Sequence, residues 1–166
     1  TVSGGNGNDW LINGGGNDLI YGGGGHDTIV MGDATSGSLG LAYGGLGNDT
    51  FIVTQTSSAQ ISGGAGLDLL SLQWANEGAV TFNLATATAS AASGALLAFS
   101  GIERLTLHAG DAADSVTTGT YADDISVAAG ANIVSAGGGA DIVRYTAGAA
   151  NTLDGGLGQD LLQVQA

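Results

Sequence analysis

Apolar and polar positions along this chain follow a nine-residue cycle. In residues 4–12 (GGNGNDWLI), 13–21 (NGGGNDLIY) and 22–30 (GGGGHDTIV), a glycine-rich stretch precedes three residues whose middle member is large and apolar. The cycle returns at 44–52 and 63–71. Three residues are too few for an independent hairpin strand, but they suffice when successive copies stack on one another. The pattern therefore predicts a solenoid.

The eighth position of the cycle is the predicted core. Weaker copies between residues 109 and 163 keep the same register. The position is filled by Leu11, Ile20, Ile29, Phe51, Leu70, Val116, Ile125, Val134, Val143, Leu153 and Leu162. Because side chains alternate across a strand, this residue points inward while its neighbours face outward. Two copies form one coil of about 18 residues, so alternate copies lie one above the other at the ~4.8 Å spacing of paired strands.

The predicted fold is all-β: a parallel β-roll or β-helix solenoid in two segments joined by a wider, irregular β region. Residues 1–71 form the first segment, with a loop insertion at 31–43, and residues 109–166 form a second, degenerate one. Between them, 72–108 contains alternating apolar positions in VTFNL and IERLTL, which predict strands, and the small polar stretch ATATASAASGA, which predicts a loop or β-arm. We expect one continuous elongated module rather than separate domains.

Charge restricts the partners. Fifteen acidic residues face two arginines and no lysine, which gives a formal net charge of −13. Nucleic acid and anionic lipid are excluded as partners because like charges repel. No apolar run approaches the roughly 18 residues needed to span a bilayer, so membrane insertion is not expected. Cysteine is absent, which removes disulfides and thiolate metal sites. A cation is the natural partner.

The sixth position of the cycle carries the candidate chemistry. It is Asp in nine of the eleven copies and Asn in the other two, Asn132 and Asn151. Stacked carboxylates about 5 Å apart repel by roughly 0.8 kcal/mol in water and about 3 kcal/mol at an effective dielectric of 20. We expect such pairs along both edges of the solenoid. Ca²⁺ accepts six to eight oxygen ligands, including turn carbonyls, whereas Mg²⁺ demands a stricter octahedron and Zn²⁺ or Cu²⁺ prefer His or Cys. The pattern therefore predicts several Ca²⁺ ions between the turns.

These copies resemble the GGxGxDxUx nonapeptide of the RTX (repeats-in-toxin) family. The resemblance implies a parallel β-roll in which the first six residues of each copy bind Ca²⁺ and the last three form a strand. It also implies export by a bacterial type I system and folding outside the cell. Side-chain ligands implied in this way, including one from the insertion, are Asp9, Asp18, Asp27, Asp33, Asp49, Asp68, Asp114, Asp123, Asp141 and Asp160. Backbone ligands implied are Gly5, Asn6, Gly7, Gly14, Gly16, Gly23, Gly25, Gly45, Gly47, Gly64, Gly66, Gly137, Gly139, Gly156 and Gly158.

The functional prediction is a non-catalytic, secreted module that folds on binding Ca²⁺, as part of a surface-layer protein or adhesin at the cell surface. Its further partners would be copies of itself in a lattice or a cell-surface polysaccharide. Two alternatives stay open. One is an export and folding module of a secreted protease or lipase whose catalytic domain lies outside this chain, and the other is an enzymatic β-helix acting on polysaccharide.

Few residues outside the repeats could support other chemistry. The only cluster with catalytic potential in the sequence is Glu77, Glu103, Arg104, His108 and Asp111. It lies on an irregular stretch without a motif, so surface charge is the favoured interpretation. His26 occupies a variable turn position, which favours a solvated surface residue. Trp10 and Tyr21 flank core positions, and we expect them to cover a face or an interface rather than to form a sugar platform.

Overall fold

The structure is a computed structural model that describes residues 1–14, 16–32, 39–54, 58–146 and 150–165. Within these ranges the regular elements are β-strands, and no helix there has the length and apolar character that a membrane span requires. The strands are β1 (Val2–Asn6), β2 (Trp10–Ile12), β3 (Leu19–Gly24), β4 (Thr28–Met31), β5 (Leu39–Leu46), β6 (Thr50–Val53), β7 (Ser58–Ala65), β8 (Leu69–Trp74), β9 (Val80–Asn83), β10 (Thr88–Ala91), β11 (Leu96–Ser100), β12 (Arg104–Ala109), β13 (Ser115–Thr117), β14 (Asp124–Val127), β15 (Ile133–Ser135), β16 (Gly138–Gly139), β17 (Ile142–Thr146), β18 (Thr152–Asp154), β19 (Leu157–Gly158) and β20 (Leu161–Gln165).

Two stacked sheets form the body of the molecule. The first sheet has the order β1-β3-β5-β7-β11-β10-β9-β13-β15-β18, and the second has the order β2-β4-β6-β8-β12-β14-β17-β20. Val2 lies opposite Ile20 in the first sheet, and Trp10 lies opposite Thr28 in the second, so one coil advances the chain by 18 residues. Neighbouring coils pair in parallel. The predicted parallel solenoid is therefore confirmed, with about eight turns.

The core between the sheets is built from the predicted eighth positions. Nine of these eleven side chains are buried, from Leu11 in the first coil to Val143. The two others, Leu153 and Leu162, lie in the outermost coil, and Leu162 is 44% exposed. Each aliphatic side chain that is fully buried contributes roughly 1.5–3 kcal/mol through removal of apolar surface from water. The repeated apolar position thus adds core packing to the parallel strand pairing that joins neighbouring coils.

Residues 72–108 extend the same two sheets in an unequal way. In the second sheet β8 and β12 are direct neighbours, whereas in the first sheet β11, β10 and β9 lie between β7 and β13 as an antiparallel meander. The stretch predicted as a loop or arm therefore contains a paired strand, β10. Phe82 and Phe99 stack inside this region with ring centroids 5.3 Å apart, and Trp74 is fully buried. Unusually large side chains fill the wider interior there.

The stretch 31–43, predicted as a loop insertion, overlaps two ordinary strands. Strand β4 ends at Met31 and β5 begins at Leu39. Ala42 lies opposite Ile20, so the extra residues lengthen one connection without changing the register of the coil. Asp33, predicted as a ligand from this insertion, lies outside the described residues.

Candidate metal centre

Glycine turns lead into the strands of the second sheet and stack directly on one another. Gly5 and Gly7 adopt φ values of 102° and 113°, and Gly23 and Gly25 in the next coil repeat this geometry at 116° and 132°. A methyl group added to Gly23 would overlap the carbonyl oxygen of Gly5. These positions therefore require glycine for two reasons, the left-handed backbone and the close approach of the carbonyl oxygen from the preceding turn. The predicted carbonyl ligands are thus aimed along the solenoid axis.

The sixth-position side chains form a ladder beside these turns. One carboxylate oxygen of Asp27 accepts the backbone N–H of Asp9 at 2.9 Å, and Asp49 accepts the N–H of Asp27 at 2.8 Å. Asp68 accepts the N–H of Asp49 at 2.7 Å. The same relation links Asp123 to Asp141 and Asp141 to Asp160 farther along the chain. Each acid is therefore held in place by the coil before it.

The second carboxylate oxygen of the ladder is the feature that points to a metal. In the part of the chain that the structure describes, this oxygen is buried and has no hydrogen-bond partner in the ladder residues Asp9, Asp27, Asp49, Asp68, Asp123 and Asp141, and the same holds for one oxygen of Asp114 at the other edge of the solenoid. A buried carboxylate without a partner costs several kcal/mol, so a folded ladder needs a compensating positive charge. Carboxylate and carbonyl oxygens are the ligands of a hard cation such as Ca²⁺. The residues present therefore fit a calcium ion.

Burial raises the pKa of five of these seven carboxyl groups, the direction expected for a buried charge without compensation. Removal from water raises the pKa of Asp114 and of Asp123 to about 6. Burial is also the first cause of the raised pKa of Asp49, Asp68 and Asp141, with the negative charge of a ladder neighbour adding to it in each case. Without a cation, burial therefore shifts these five carboxyl groups toward the protonated form.

Glu103 continues the ladder through the irregular region, which the sequence analysis missed. Its carboxylate accepts the N–H of Asp68 at 2.9 Å. The corner there, residues 101–103, is shorter than the turn 63–68 on which it stacks, and the additional methylene of Glu spans the gap. The side chain of Ile102 is buried at this corner. The spacing in the sequence could have identified Glu103 as a ladder residue. It precedes the buried Leu105 by two residues, just as each repeat Asp precedes its core residue.

The two edges of the solenoid differ, which corrects the expectation of acid pairs along both. The opposite edge, which leads into the first sheet, begins with Asp18, but the next two coils place Gly40 and Ala59 at the sixth position. Later coils on that edge place Asp114 next to Asn132, whose side-chain oxygen accepts the Asp114 N–H at 2.9 Å. The backbone N–H of Asn132 in turn donates to the side-chain oxygen of Asn151 at 3.0 Å. The physical reason is that the insertion and the acid-free stretch 53–62 both fall on this edge.

The predicted backbone positions divide in the same way. Stacked turns on the acidic edge contain Gly5, Asn6, Gly7, Gly23, Gly25, Gly45, Gly47, Gly64, Gly66, Gly137, Gly139, Gly156 and Gly158. Gly14 and Gly16 lie on the other edge, next to Asp18, and apart from the chain neighbours no atom of the described residues lies within 4 Å of a methyl group added to either. Within the described ranges, no three His, Cys, Asp or Glu side chains converge as a metal cluster. Any calcium ligand set here must therefore draw largely on backbone oxygens.

The two arginines lie close to the second half of the acidic edge. Arg104 donates from Nε to the carbonyl oxygen of Ala122 at 3.1 Å, and its charge lowers the pKa of Asp123 against the larger effect of burial. Arg144 forms an ion pair with Asp124. The arginines thus provide a local counter-charge for only one stretch of a long acidic edge.

The remaining candidates have separate surroundings. His26 is exposed and accepts the backbone N–H of Asn48 through Nδ1 at 2.7 Å, so it links two stacked turns. His108 contacts Gln73 at 3.2 Å on the outer face of the second sheet. Glu103 belongs to the ladder. The charged cluster of the irregular region is therefore divided among different structural roles.

Comparison with known proteins supports the same site. The family model of the RTX calcium-binding nonapeptide repeat matches residues 1–33 and 108–143, in four copies. Both matched parts contain stacked turns of the acidic edge. A comparison with curated proteins finds no similar protein.

Proposed function

The chain carries RTX nonapeptide repeats, which bind several Ca²⁺ ions, and from that premise we propose that it is a structural module that folds when calcium binds outside the cell. RTX repeats occur in secreted proteins, and their β-roll is a structural calcium-binding fold. The observation that carries the proposal is the row of buried carboxylate oxygens without partners. Because these oxygens destabilise the calcium-free fold, the binding free energy of calcium becomes folding free energy.

The proposed ligands are the ladder aspartates and the carbonyl oxygens of the turns next to them. A first row of sites would lie between the turns 4–9, 22–27, 44–49 and 63–68, and a second row between 118–123, 136–141 and 155–160. Calcium supplies the positive charge that neutralises facing carboxylates. The chain's own part is to hold each carboxylate by one oxygen through the ladder and to leave the other free.

The opposite edge is proposed to bind calcium weakly or at fewer places. Asp18 with Gly14 and Gly16 has no acid at the sixth position of the following coil, where Gly40 lies. Asp114 faces the neutral Asn132. A site there would have at most one carboxylate per pair of turns, and fewer charged ligands mean lower affinity.

A calcium titration tests the folding proposal. Far-ultraviolet circular dichroism is followed while Ca²⁺ is added to the chain in chelator, with Mg²⁺ as the control for charge screening. We expect a cooperative gain of β signal at about 10⁻⁴–10⁻³ M Ca²⁺, the range of extracellular modules, and none at equal Mg²⁺. A chain that is already fully β-structured in chelator, or that responds equally to both ions, would overturn it.

For the parent protein, we propose a surface-layer protein or adhesin, in which the calcium-loaded roll is a rigid rod at the cell surface. Absence of lysine and cysteine, together with many small residues, supports this role. Its further partners would be other copies of the chain or a cell-surface polysaccharide. Sedimentation velocity with and without Ca²⁺ tests the lattice role: calcium-dependent assembly is expected, and a strict monomer at high concentration contradicts it. We assign no catalytic role to this chain.

A further inference from the structure

A column of side chains on the outer face of the first sheet changes abruptly from large rings to small hydroxyls. Successive coils place Ser3, Tyr21, Tyr43, Ser62 and Ser100 directly above one another in register. The rings of the two tyrosines stack with centroids 5.2 Å apart and an interplanar angle of 17°. The column of rings thus ends at Tyr43, and the next position holds only a serine.

The end of this column opens into a cavity of about 260 Å³. Its lining is Tyr43, Gln60, Ile61, Ser62 and Ser100. Coils are spaced by ~4.8 Å, which is the distance at which another flat ring would stack on Tyr43. The cavity is smaller than the roughly 300–1,000 Å³ of pockets for drug-sized ligands, so it suits a single ring. The geometry points to a slot that continues the tyrosine stack with a ring from a ligand.

The chemistry of the walls identifies the kind of ring. The walls carry the side-chain amide of Gln60 and the hydroxyls of Ser62 and Ser100, groups that both donate and accept hydrogen bonds. The face of Tyr43 is electron-rich and attracts the polarised C–H groups of a sugar ring. An apolar aromatic ring would leave the polar walls without partners, which is unfavourable. A nucleotide would meet the repulsion of a chain with net charge −13.

We propose that this slot binds one neutral pyranose unit of a saccharide, stacked on Tyr43 and hydrogen-bonded to Gln60 and the two serines. Tyr21 stacks on the opposite face of the Tyr43 ring and holds it in place, which reduces the loss of side-chain entropy on binding. This site lies on the sheet face, away from the acidic edge, and needs calcium only to the extent that the roll must be folded. Tyr43 was not considered in the sequence analysis, which expected Trp10 and Tyr21 to cover a face or an interface rather than to form a sugar platform.

The test uses the chain at saturating Ca²⁺, with circular dichroism confirming that each variant is folded. Aromatic resonances of Tyr43 and Tyr21 are followed by NMR during titration with methyl β-D-glucopyranoside, methyl β-D-galactopyranoside and methyl α-D-mannopyranoside. At least one glycoside is expected to shift them in a saturable way, with a dissociation constant of about 1 mM or weaker for a single ring. Because folding is measured separately, failure of the calcium proposal would appear in the dichroism and not in the titration.

Two variants and a control make the result specific. Tyr43→Ala removes the stacking face, and Ser62→Phe fills the slot with the chain's own ring; each is expected to weaken glycoside binding at least tenfold. Trp10→Ala removes an aromatic side chain that is 65% exposed on the other sheet and should leave binding unchanged. The proposal is overturned if no glycoside shifts Tyr43, if binding survives in Ser62→Phe, or if N-acetyltyrosine amide binds more tightly than all the glycosides.

Discussion

Replacing Asp49 with Asn separates the charge of the ladder from its hydrogen bond. One carboxylate oxygen of Asp49 accepts the N–H of Asp27 at 2.8 Å, and the other is buried without a partner. An amide can retain the first contact, as Asn132 does when it accepts the N–H of Asp114 at 2.9 Å. The substitution Asp49→Asn therefore removes one buried negative charge while leaving the ladder connected.

The structure gives the sign and size of the effect. Asp27 and Asp68 lie one coil away on either side, at the ~4.8 Å spacing of paired strands. Each repulsion is worth roughly 0.8 kcal/mol at the dielectric of water and about 3 kcal/mol at an effective dielectric of 20, so we expect the loss of both in Asp49→Asn to stabilise the calcium-free fold by about 2–6 kcal/mol. At saturating calcium the sign reverses, because loss of a ligand from a buried ion pair costs about 3–5 kcal/mol.

Urea unfolding at a series of buffered Ca²⁺ concentrations measures both effects. Trimethylamine N-oxide added to the chelator samples brings the calcium-free fold into the measurable range, because excluded osmolytes favour burial. Curves of unfolding free energy against calcium for the wild-type chain and Asp49→Asn should cross.

Asp18→Asn is the matched control, since Gly40 and Ala59 follow Asp18 on the opposite edge. It should change little at either calcium extreme. The reasoning is refuted if Asp49→Asn is less stable than wild type at every calcium concentration, or if Asp18→Asn has an equal effect.

Two further predictions use the same unfolding assay. Gly23→Ala should destabilise the calcium-loaded roll by about 3 kcal/mol or more, because φ is 116° and the methyl group would overlap the Gly5 carbonyl; Gly94→Ala, at φ 104° with open space around it, should cost only about 1–2 kcal/mol. Equal losses would contradict the stacked-turn geometry. In chelator, acidification from about pH 7 to 5 should stabilise the fold by about 1 kcal/mol for each of Asp114 and Asp123. Their folded pKa of about 6 lies above the unfolded value, so this stability is lost as pH rises through 6. The increment due to calcium should fall over the same acid range, and acid destabilisation in chelator would contradict the assignment.

The solenoid and its core could be predicted because the period of the sequence is a direct property of the coil. Ile20 and Ile29 occupy the same position of successive nine-residue copies, and both are fully buried. The inequality of the two edges was also present in the sequence. Alternate copies share an edge, so counting in steps of two places the insertion and the acid-free stretch 53–62 on the edge of Asp18. Naming Gly40 and Ala59 as the residues that follow Asp18 also requires the number of residues that the insertion adds to a coil, which only the strand register resolves.

Other features depend on contacts that no local pattern contains. The pairing of β9, β10 and β11 is antiparallel and brings Phe82 against Phe99, residues that lie in separate strands without a repeat to align them. The proposed saccharide slot depends on the pairing of Tyr43 with Ser62 in the adjacent coil. The roles of residues outside the repeats therefore depend on which coils stack on one another. The glycine-aspartate copies, in contrast, could be identified from the sequence alone.

The irregular region and the repeats stabilise the roll by different means. At the corner 101–103 the ladder continues through Glu103, but the short corner and the buried side chain of Ile102 replace a full glycine turn. Just beyond it, Arg104 supplies a positive charge near Asp123 from the chain itself. Large aromatic side chains are concentrated in the same part of the core, where their burial does not depend on a cation. On the proposed ligand set, a coil with apolar packing separates the two rows of calcium sites, and we expect the register of the solenoid in that coil not to rely on the ion.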